Sequence, residues 1–179
     1  MSVDYKIKDS LKSTKILILE DDPIMLKLLG DILGIMGFGE ITISNEGNMA
    51  LKELGKSDFD LIFCDWRMRG LDGLAFTRAV RAIPDYNKCY TPIIMVTGYA
   101  RKEDIETARD AGVTEYMIKP LSVKTLCAKI KAIVENPRSF VTTSTYKGPD
   151  RRRKSETDKI PGGVERRGKK EVKVYVPTE

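Results

Sequence analysis

The chain has 179 residues, of which 41% are hydrophobic, and a net charge of +5. This length allows one domain with a buried core and an appendage, and no apolar run reaches the roughly 18 residues of a membrane-spanning helix. The absence of histidine excludes histidine-based acid–base catalysis and most zinc sites, and the three cysteines form no CxxC pair. Residues 1–14 are polar and lack the apolar core of a signal peptide, so we expect a cytoplasmic protein with no membrane span.

Short apolar runs alternate with amphipathic stretches along most of the chain. The apolar runs predict five strands: Lys15–Leu19, Ile41–Ser44, Leu61–Cys64, Pro92–Val96 and Glu115–Ile118. The amphipathic stretches predict five helices: Pro23–Met36, Glu46–Lys56, Gly73–Ile83, Lys102–Ala111 and Ser122–Glu135. Strict alternation of strands and helices predicts the α/β class, with a doubly wound five-stranded parallel sheet and helices on both faces.

The composition changes after Asn136-Pro137. Residues 137–179 carry 12 Lys/Arg against 6 Asp/Glu, whereas residues 1–136 have a net charge of −1. Residues 137–179 show no helical or strand period, which predicts a disordered C-terminal tail. An alternation at 172–176 is able to add a strand to a sheet edge, although alone it favours a loose end. The predicted domains are a flexible segment 1–14, a globular domain 15–136 and a basic tail 137–179.

Five polar residues lie at or just past the carboxyl ends of predicted strands: Glu20, Asp21, Asp65, Thr97 and Lys119. Right-handed crossovers bring these ends to one edge of the sheet, where ligands of such folds bind. Each residue alone also fits a plainer role, as a helix cap, a turn residue or a surface charge. Carboxylates that converge repel one another, and Mg²⁺ with its preference for oxygen ligands would relieve this. The combination therefore favours a metal-dependent site.

The chain resembles the receiver domain of bacterial response regulators of the chemotaxis-regulator type, from Lys15 to Glu135. The resemblance rests on motifs that follow the strands: Glu20-Asp21, Asp65-Trp66-Arg67-Met68 with Leu71-Asp72-Gly73, Thr97, and Lys119-Pro120. It implies a flavodoxin-like fold with the strand order 2-1-3-4-5. The acidic pair of the family aligns with Glu20 and Asp21, which leaves Asp22 as a helix cap. The family usually has proline at the position of Arg69.

The resemblance also implies that Asp65 accepts a phosphoryl group from a histidine kinase. Asp21 and Asp65 would then bind Mg²⁺ directly, Glu20 through water, and Arg67 through its backbone carbonyl. The Lys119 ammonium would stabilise charge on the transferred oxygens. Such a receiver is not an enzyme in the ordinary sense, because it promotes only its own phosphoryl transfer and dephosphorylation.

A switch is implied by the same resemblance. The hydroxyl of Thr97 would bind the phosphoryl group, and Tyr116 would turn inward as Thr97 moves. The bond between Lys119 and Pro120 is a candidate cis peptide.

The 43 residues after the globular domain are too few for an ordinary winged-helix domain. We therefore expect a stand-alone phosphorelay receiver that is phosphorylated by a sensor histidine kinase or phosphotransfer protein. It would contact a downstream protein through the face of the fourth predicted helix, the fifth strand and the fifth helix, with a homodimer as a further possible outcome of phosphorylation.

One alternative is that the basic tail, with Arg151-Arg152-Arg153-Lys154, binds nucleic acid, anionic lipid or an acidic protein. Another is an unphosphorylated scaffold, which the complete set of five site residues disfavours.

Overall fold

The central sheet has five parallel strands in the order β2-β1-β3-β4-β5. The computed structural model describes residues 11–99, 101–151 and the backbone of 173–175. The strands are β1 (Lys15–Leu19), β2 (Glu40–Ser44), β3 (Leu61–Asp65), β4 (Ile93–Thr97) and β5 (Glu115–Ile118). All five predicted strands are present with boundaries within one residue, and the strand order implied by the resemblance is confirmed.

Helices cover both faces of the sheet. They are α1 (Pro23–Ile35), α2 (Gly47–Lys56), α3 (Gly73–Ala82), α4 (Tyr86–Tyr90), α5 (Lys102–Ala111) and α6 (Val123–Glu135). Five of them match the predicted helices within one residue at each end. The short helix α4 was not predicted, because five residues are too few to show a helical period. Among the residues described, no helix is long and apolar enough to cross a membrane.

The core consists of an apolar layer on each face of the sheet and a third cluster that contains Met95 of β4 and Ala108 and Ala111 of α5. Ile16 and Ile18 of β1 belong to the layer that also contains side chains of α1 and α6. Leu17 and Leu19 belong to the opposite layer, with side chains of α2 and α3. Because both faces of β1, β3 and β4 are buried, these three strands are continuous apolar runs rather than alternating ones. These packed layers fix the strand ends at which the polar residues lie.

The helix that follows β1 begins at a capping residue. The Asp22 side chain accepts a hydrogen bond from the backbone amide of Ile24 at 2.8 Å, and Pro23 occupies the first helical position. Asp22 is therefore the cap of α1, as predicted. The peptide bond between Lys119 and Pro120 is cis, also as predicted.

The segment before β1 differs from the predicted flexible N-terminus where the structure describes it. Leu11 packs against the core layer of α1, and the amide of Thr14 donates to the carbonyl of Leu11 at 3.3 Å. The loop after α1 lies so close that a Cβ on Gly39 would be 2.7 Å from the carbonyl oxygen of Lys12. Residues 1–10 lie outside the described part of the chain.

Residues 137–151 differ from the predicted disordered tail. Phe140–Thr142 (β6) and Lys147–Pro149 (β7) form an antiparallel hairpin, and Lys173–Tyr175 (β8) pairs with the other edge of β6. The predicted alternation at 172–176 thus includes a strand. The remaining predicted tail, residues 152–172 and 176–179, lies outside the described part of the chain.

Phe140 explains why the hairpin has a fixed position. Its side chain is 5% exposed, and its ring packs edge-on against Tyr90 with 4.9 Å between ring centroids. The ring also lies over the guanidinium of Arg81, at 5.1 Å from its centroid. A single buried aromatic residue produces no periodic pattern, so the sequence did not indicate this contact.

Arg81 is a buried cation that joins several elements beneath Phe140. Its Nε donates to the carbonyl of Gly112 at 3.0 Å, and its Nη1 donates to the carbonyls of Cys89 and Thr91 at 2.8 Å each. Burial lowers the pKa of Arg81 to about 10, which still leaves it charged at neutral pH. The loops before β4 and β5 are thus fastened to α3 by one side chain.

We expect Phe140→Ala to lower the free energy of unfolding by about 3 kcal/mol, because it creates a cavity and uncovers Arg81. Urea unfolding followed by circular dichroism measures this change. The matched control is Val134→Ala, at a position 73% exposed on α6, which should change stability by no more than about 0.5 kcal/mol. Equal stability of the Phe140 variant and wild type would show that the hairpin does not contribute to the folded unit.

Candidate functional site

The candidate site lies at the carboxyl edge of the sheet. Glu20 and Asp21 follow β1, Asp65 ends β3, Thr97 ends β4 and Lys119 follows β5. The ladder pairs Leu19 with Cys64, Asp65 with Val96 and Thr97 with Ile118, and so brings the strand ends side by side. Glu20, Asp65 and Thr97 are buried although they are polar. All five predicted site residues are therefore at one place.

Three carboxylates meet in this site. One carboxylate oxygen from each of Glu20, Asp21 and Asp65 lies within 4.8 Å of the others. Burial raises the pKa of Glu20 and of Asp65, and the neighbouring Lys119 opposes this effect in both. A set of oxygen ligands with excess negative charge, partly removed from water, is the donor set that Mg²⁺ prefers.

Lys119 supplies the positive charge of the site. Its Nζ donates to Oε2 of Glu20 at 2.8 Å and lies 3.0 Å from Oδ1 of Asp65. Burial lowers the pKa of the ammonium, but its hydrogen bonds to the two carboxylates outweigh burial and raise the pKa overall. Lys119 is therefore a permanent cation between two buried acids.

Asp21 is bonded to Arg69, which stands where the family usually has proline. Its Oδ2 accepts a hydrogen bond from the backbone amide of Arg69 at 3.3 Å, and the Nε of Arg69 is 4.0 Å from the same oxygen. Proline, which the family usually has at this position, carries no amide hydrogen and could not form this bond. The loop after β3 is thus held to the acidic pair by a contact that depends on Arg69.

Thr97 and Tyr116 are joined through Tyr99. The Oγ1 of Thr97 accepts a hydrogen bond from the backbone amide of Tyr99 at 3.2 Å, and the hydroxyl of Tyr116 donates to the carbonyl of Tyr99 at 2.5 Å. Burial raises the pKa of Tyr116, so its hydroxyl stays protonated and able to donate. A displacement of Thr97 would therefore act on Tyr99 and, through it, on Tyr116.

Aromatic side chains cover this side of the site. The Trp66 ring is 5.9 Å from that of Tyr99 and 6.4 Å from that of Tyr116 between centroids. The guanidinium of Arg67 lies 4.9 Å from the centre of the Tyr99 ring. The Arg67 side chain thus extends over Tyr99, while its backbone carbonyl remains a predicted metal ligand.

Gly73 is a site residue whose role the sequence did not reveal. A Cβ at this position would lie 2.1 Å from the carbonyl oxygen of Asp65 and 3.0 Å from Sγ of Cys64. Its amide donates to the carbonyl of Trp66 at 2.9 Å. The start of α3 thus presses directly on the backbone of Asp65. The only sequence signal was the position of this glycine after Asp72, which indicated a helix start and nothing more.

We expect Gly73→Ala to lower the free energy of unfolding by about 2 kcal/mol or more, because the overlap is with backbone and no side-chain rotation relieves it. The control is Gly55→Ala in α2, where nothing lies within 4 Å of the added Cβ. That change should stabilise the protein by about 0.5 to 1 kcal/mol through its higher helix propensity. Chemical denaturation of both variants tests this, and similar effects at the two glycines would contradict the close contact at Gly73.

We expect Asp65→Asn to raise the thermal unfolding temperature at neutral pH in a buffer free of divalent cations. A raised pKa on folding means that protonated Asp65 stabilises the fold, and this contribution is lost as pH rises from the ordinary value of 3.8 through the raised pKa. The asparagine does not titrate, so its advantage should disappear below about pH 4. Asp58→Asn, at a side chain 60% exposed, is the control and should show no such gain. A wild type that is the more heat-stable protein at neutral pH would refute this.

Comparison with known proteins agrees with the fold. A family model described as the response regulator receiver domain matches residues 16–131. Chemotaxis protein CheY-3 of Vibrio cholerae is 36% identical over 124 residues, which are 69% of this chain and 94% of that protein. Chemotaxis protein CheY of Pseudomonas aeruginosa is 36% identical over 121 residues, which are 68% of this chain and 96% of that protein.

Solved structures give the same result. The receiver domain of a sensor histidine kinase from Pseudomonas aeruginosa, with a magnesium ion coordinated in its active site cleft, is 28% identical with a TM-score of 0.62. The match covers 69% of this chain and 98% of that domain. A putative response regulator from Chloroflexus aurantiacus gives a TM-score of 0.64 at 27% identity, with 69% and 98% covered. With its matching family model, close relatives and strand order, this chain belongs to the response regulator receiver domain family.

Proposed function

We propose that this receiver is a phosphorelay switch whose Asp65 accepts a phosphoryl group from a histidine kinase or a phosphotransfer protein. The observation that carries the proposal is the contact of Lys119 with Asp65 and Glu20, beside Asp21 and Thr97, at the carboxyl edge of the sheet. A nucleophile, a cation and a hydroxyl are thereby present where a phosphoryl group would be transferred.

The cofactor we propose is Mg²⁺. Glu20, Asp21 and Asp65 fit it, because they offer three carboxylate oxygens within 4.8 Å of one another. The backbone carbonyl of Arg67 would add a further ligand. When bound, the ion would supply positive charge that offsets the carboxylates and the phosphoryl oxygens. The magnesium ion in the related kinase receiver domain supports this choice.

In the proposed transfer, an ionised oxygen of Asp65 attacks the phosphorus of a phosphohistidine on the partner. The new O–P bond forms as the P–N bond breaks, and the electron pair returns to the imidazole nitrogen, which takes up a proton. The acid must be ionised for this attack, and Lys119 favours the ionised form against the effect of burial. At 3.0 Å from Asp65, the ammonium is also close enough to stabilise charge on the transferred oxygens.

The proposed output begins at Thr97. Its hydroxyl would donate to a phosphoryl oxygen, and Tyr99 would follow because its amide is bonded to Thr97. The face formed by α5, β5 and α6 would then contact a downstream protein or a second copy of the chain. Large hydrophobic side chains exposed on and around this face support that role: Tyr99, Ile105, Ile118 and Val123.

We further propose a cytoplasmic protein that promotes no reaction beyond phosphorylation and dephosphorylation of its own aspartate. The three cysteines are free, as is usual in a reducing compartment. The alternative function of the basic tail gains no support from Arg151, the first residue of its run of four basic residues. Arg151 pairs with Asp110 at 3.4 Å and lies 3.8 Å from the centre of the Tyr146 ring, so it faces the receiver.

The test is phosphorylation by acetyl phosphate in the presence of Mg²⁺, followed by intact-mass measurement. Wild type should gain one phosphoryl group, and Asp65→Asn should gain none. We expect Lys119→Met to react about 10²-fold more slowly, because it removes the cation that stabilises the transferred oxygens. Lys129→Met, at a lysine that pairs with Glu115 away from the site, is the matched control and should react like wild type. Equal labelling of Asp65→Asn and wild type would refute the proposal.

A further inference from the structure

The C-terminal extension, residues 138–151, is fastened to the end of α5 and the loop that follows it. The hydroxyl of Tyr146 lies 2.8 Å from the carbonyl of Pro149 within the hairpin and 3.5 Å from the carbonyl of Arg109 on α5. Arg151 pairs with Asp110 at 3.4 Å. The extension therefore contacts the last turn of α5 through both a tyrosine and an ion pair.

Two glycines lie close together where the extension meets this loop. A Cβ on Gly148 of the extension would lie 2.9 Å from Cα of Gly112, the residue that ends α5 with a φ of 97°. Two arginines hold the same loop: Arg81 donates to the carbonyl of Gly112 at 3.0 Å, and Arg138 donates to that of Thr114 at 3.2 Å. This packing leaves no space for even a methyl group, so the extension fits one position of the loop.

The helix α5 connects this contact with the switch residues. Its buried residues are two alanines, Ala108 and Ala111, both in the half that contacts the extension. Its other end follows Tyr99, which bonds to both Thr97 and Tyr116. With small buried side chains and no large apolar anchor in its first turns, α5 has its buried residues only in the half where the extension lies.

We propose that the extension is a strap whose docking on α5 depends on the phosphorylation of Asp65. This inference rests on the proposed function. The strap is docked in the arrangement in which Thr97 accepts a hydrogen bond from Tyr99. Movement of Thr97 towards a phosphoryl group displaces the start of α5, and a helix of ten residues transmits this displacement to its other end. The contact between Gly148 and Gly112 tolerates little displacement, so phosphorylation loosens the strap.

Linkage makes this effect reciprocal. If the phosphoryl state weakens docking of the strap by a given factor, the undocked chain must bind a phosphoryl analogue more tightly than the docked chain by the same factor. The strap thereby restrains activation of the receiver from the end of α5 that is remote from Asp65. Loosening would also uncover Tyr90, against which Phe140 packs.

Hydrogen–deuterium exchange of the full chain tests the first half of the proposal. The hairpin is closed by the amide of Thr143 bonding to the carbonyl of Tyr146 at 2.8 Å and that of Asp150 to Ser139 at 2.7 Å. We expect exchange in residues 139–150 to become about 5-fold faster or more with Mg²⁺ and beryllofluoride, a phosphoryl analogue. Exchange in the Asp65→Asn variant should not change.

Binding of beryllofluoride, followed through the fluorescence of Trp66, tests the reciprocal half. We expect Tyr146→Phe, which removes the hydroxyl near Arg109, to bind beryllofluoride about 5-fold more tightly. Arg151→Gln, which removes the pair with Asp110, should act in the same direction and serves as a second variant. Ser144→Ala, at an exposed position between the hairpin strands, is the matched control and should bind like wild type.

Each outcome decides between the two proposals. Unchanged exchange in the hairpin, or equal affinities of the strap variants and wild type, would overturn the strap proposal. The proposed function would still stand if beryllofluoride binding depends on Asp65. Wild type that binds no more beryllofluoride than Asp65→Asn would overturn the proposed function, and the strap's dependence on phosphorylation with it.

Discussion

The ion pairs that Lys119 forms with Glu20 and Asp65 are the interaction on which the site depends. Two buried carboxylates so close together would be strongly unfavourable without a cation between them. Lys119 contacts Glu20 at 2.8 Å and Asp65 at 3.0 Å, although Glu20 follows β1 and Lys119 follows β5, with β3 and β4 between those strands. The backbone amide of Lys119 also donates to the carbonyl of Thr97 at 2.8 Å. These ion pairs can therefore form only when the four strands β1, β3, β4 and β5 are in register.

Most of the fold and the location of the site follow from the sequence, for identifiable reasons. Strands such as Lys15–Leu19 are buried on both faces and hence read as unbroken apolar runs, and polar residues at their ends must meet on one edge. The strand order came from the family resemblance, since hydrophobic patterns do not distinguish one order of parallel strands from another. The roles of Gly73 and Phe140 were missed because a single residue that acts through tertiary contacts leaves no periodic pattern in the sequence.

The receiver family accounts for the sheet but not for the extension. The family match ends at residue 131, before the hairpin begins, so the hairpin's contacts are features of this chain that the family model does not describe. The amide of Arg69, bonded to Asp21 where the family usually has proline, is a second such feature at the opposite end of the molecule. The receiver core of this chain thus has two additional sets of contacts: those of the hairpin, and the bond between the Arg69 amide and Asp21.

The buried guanidinium of Arg81 limits how far the chain can be shortened at its C-terminal end without exposing buried residues. A receiver excised at the end of α6 would lack the Phe140 ring that covers Arg81 and the hairpin that packs on Gly112. The boundary of the family match therefore does not coincide with the boundary of the packed structure, which includes the hairpin. A shortened chain meant to represent this receiver should extend at least through Arg151. A shorter one would expose the surface that Phe140 and the hairpin cover.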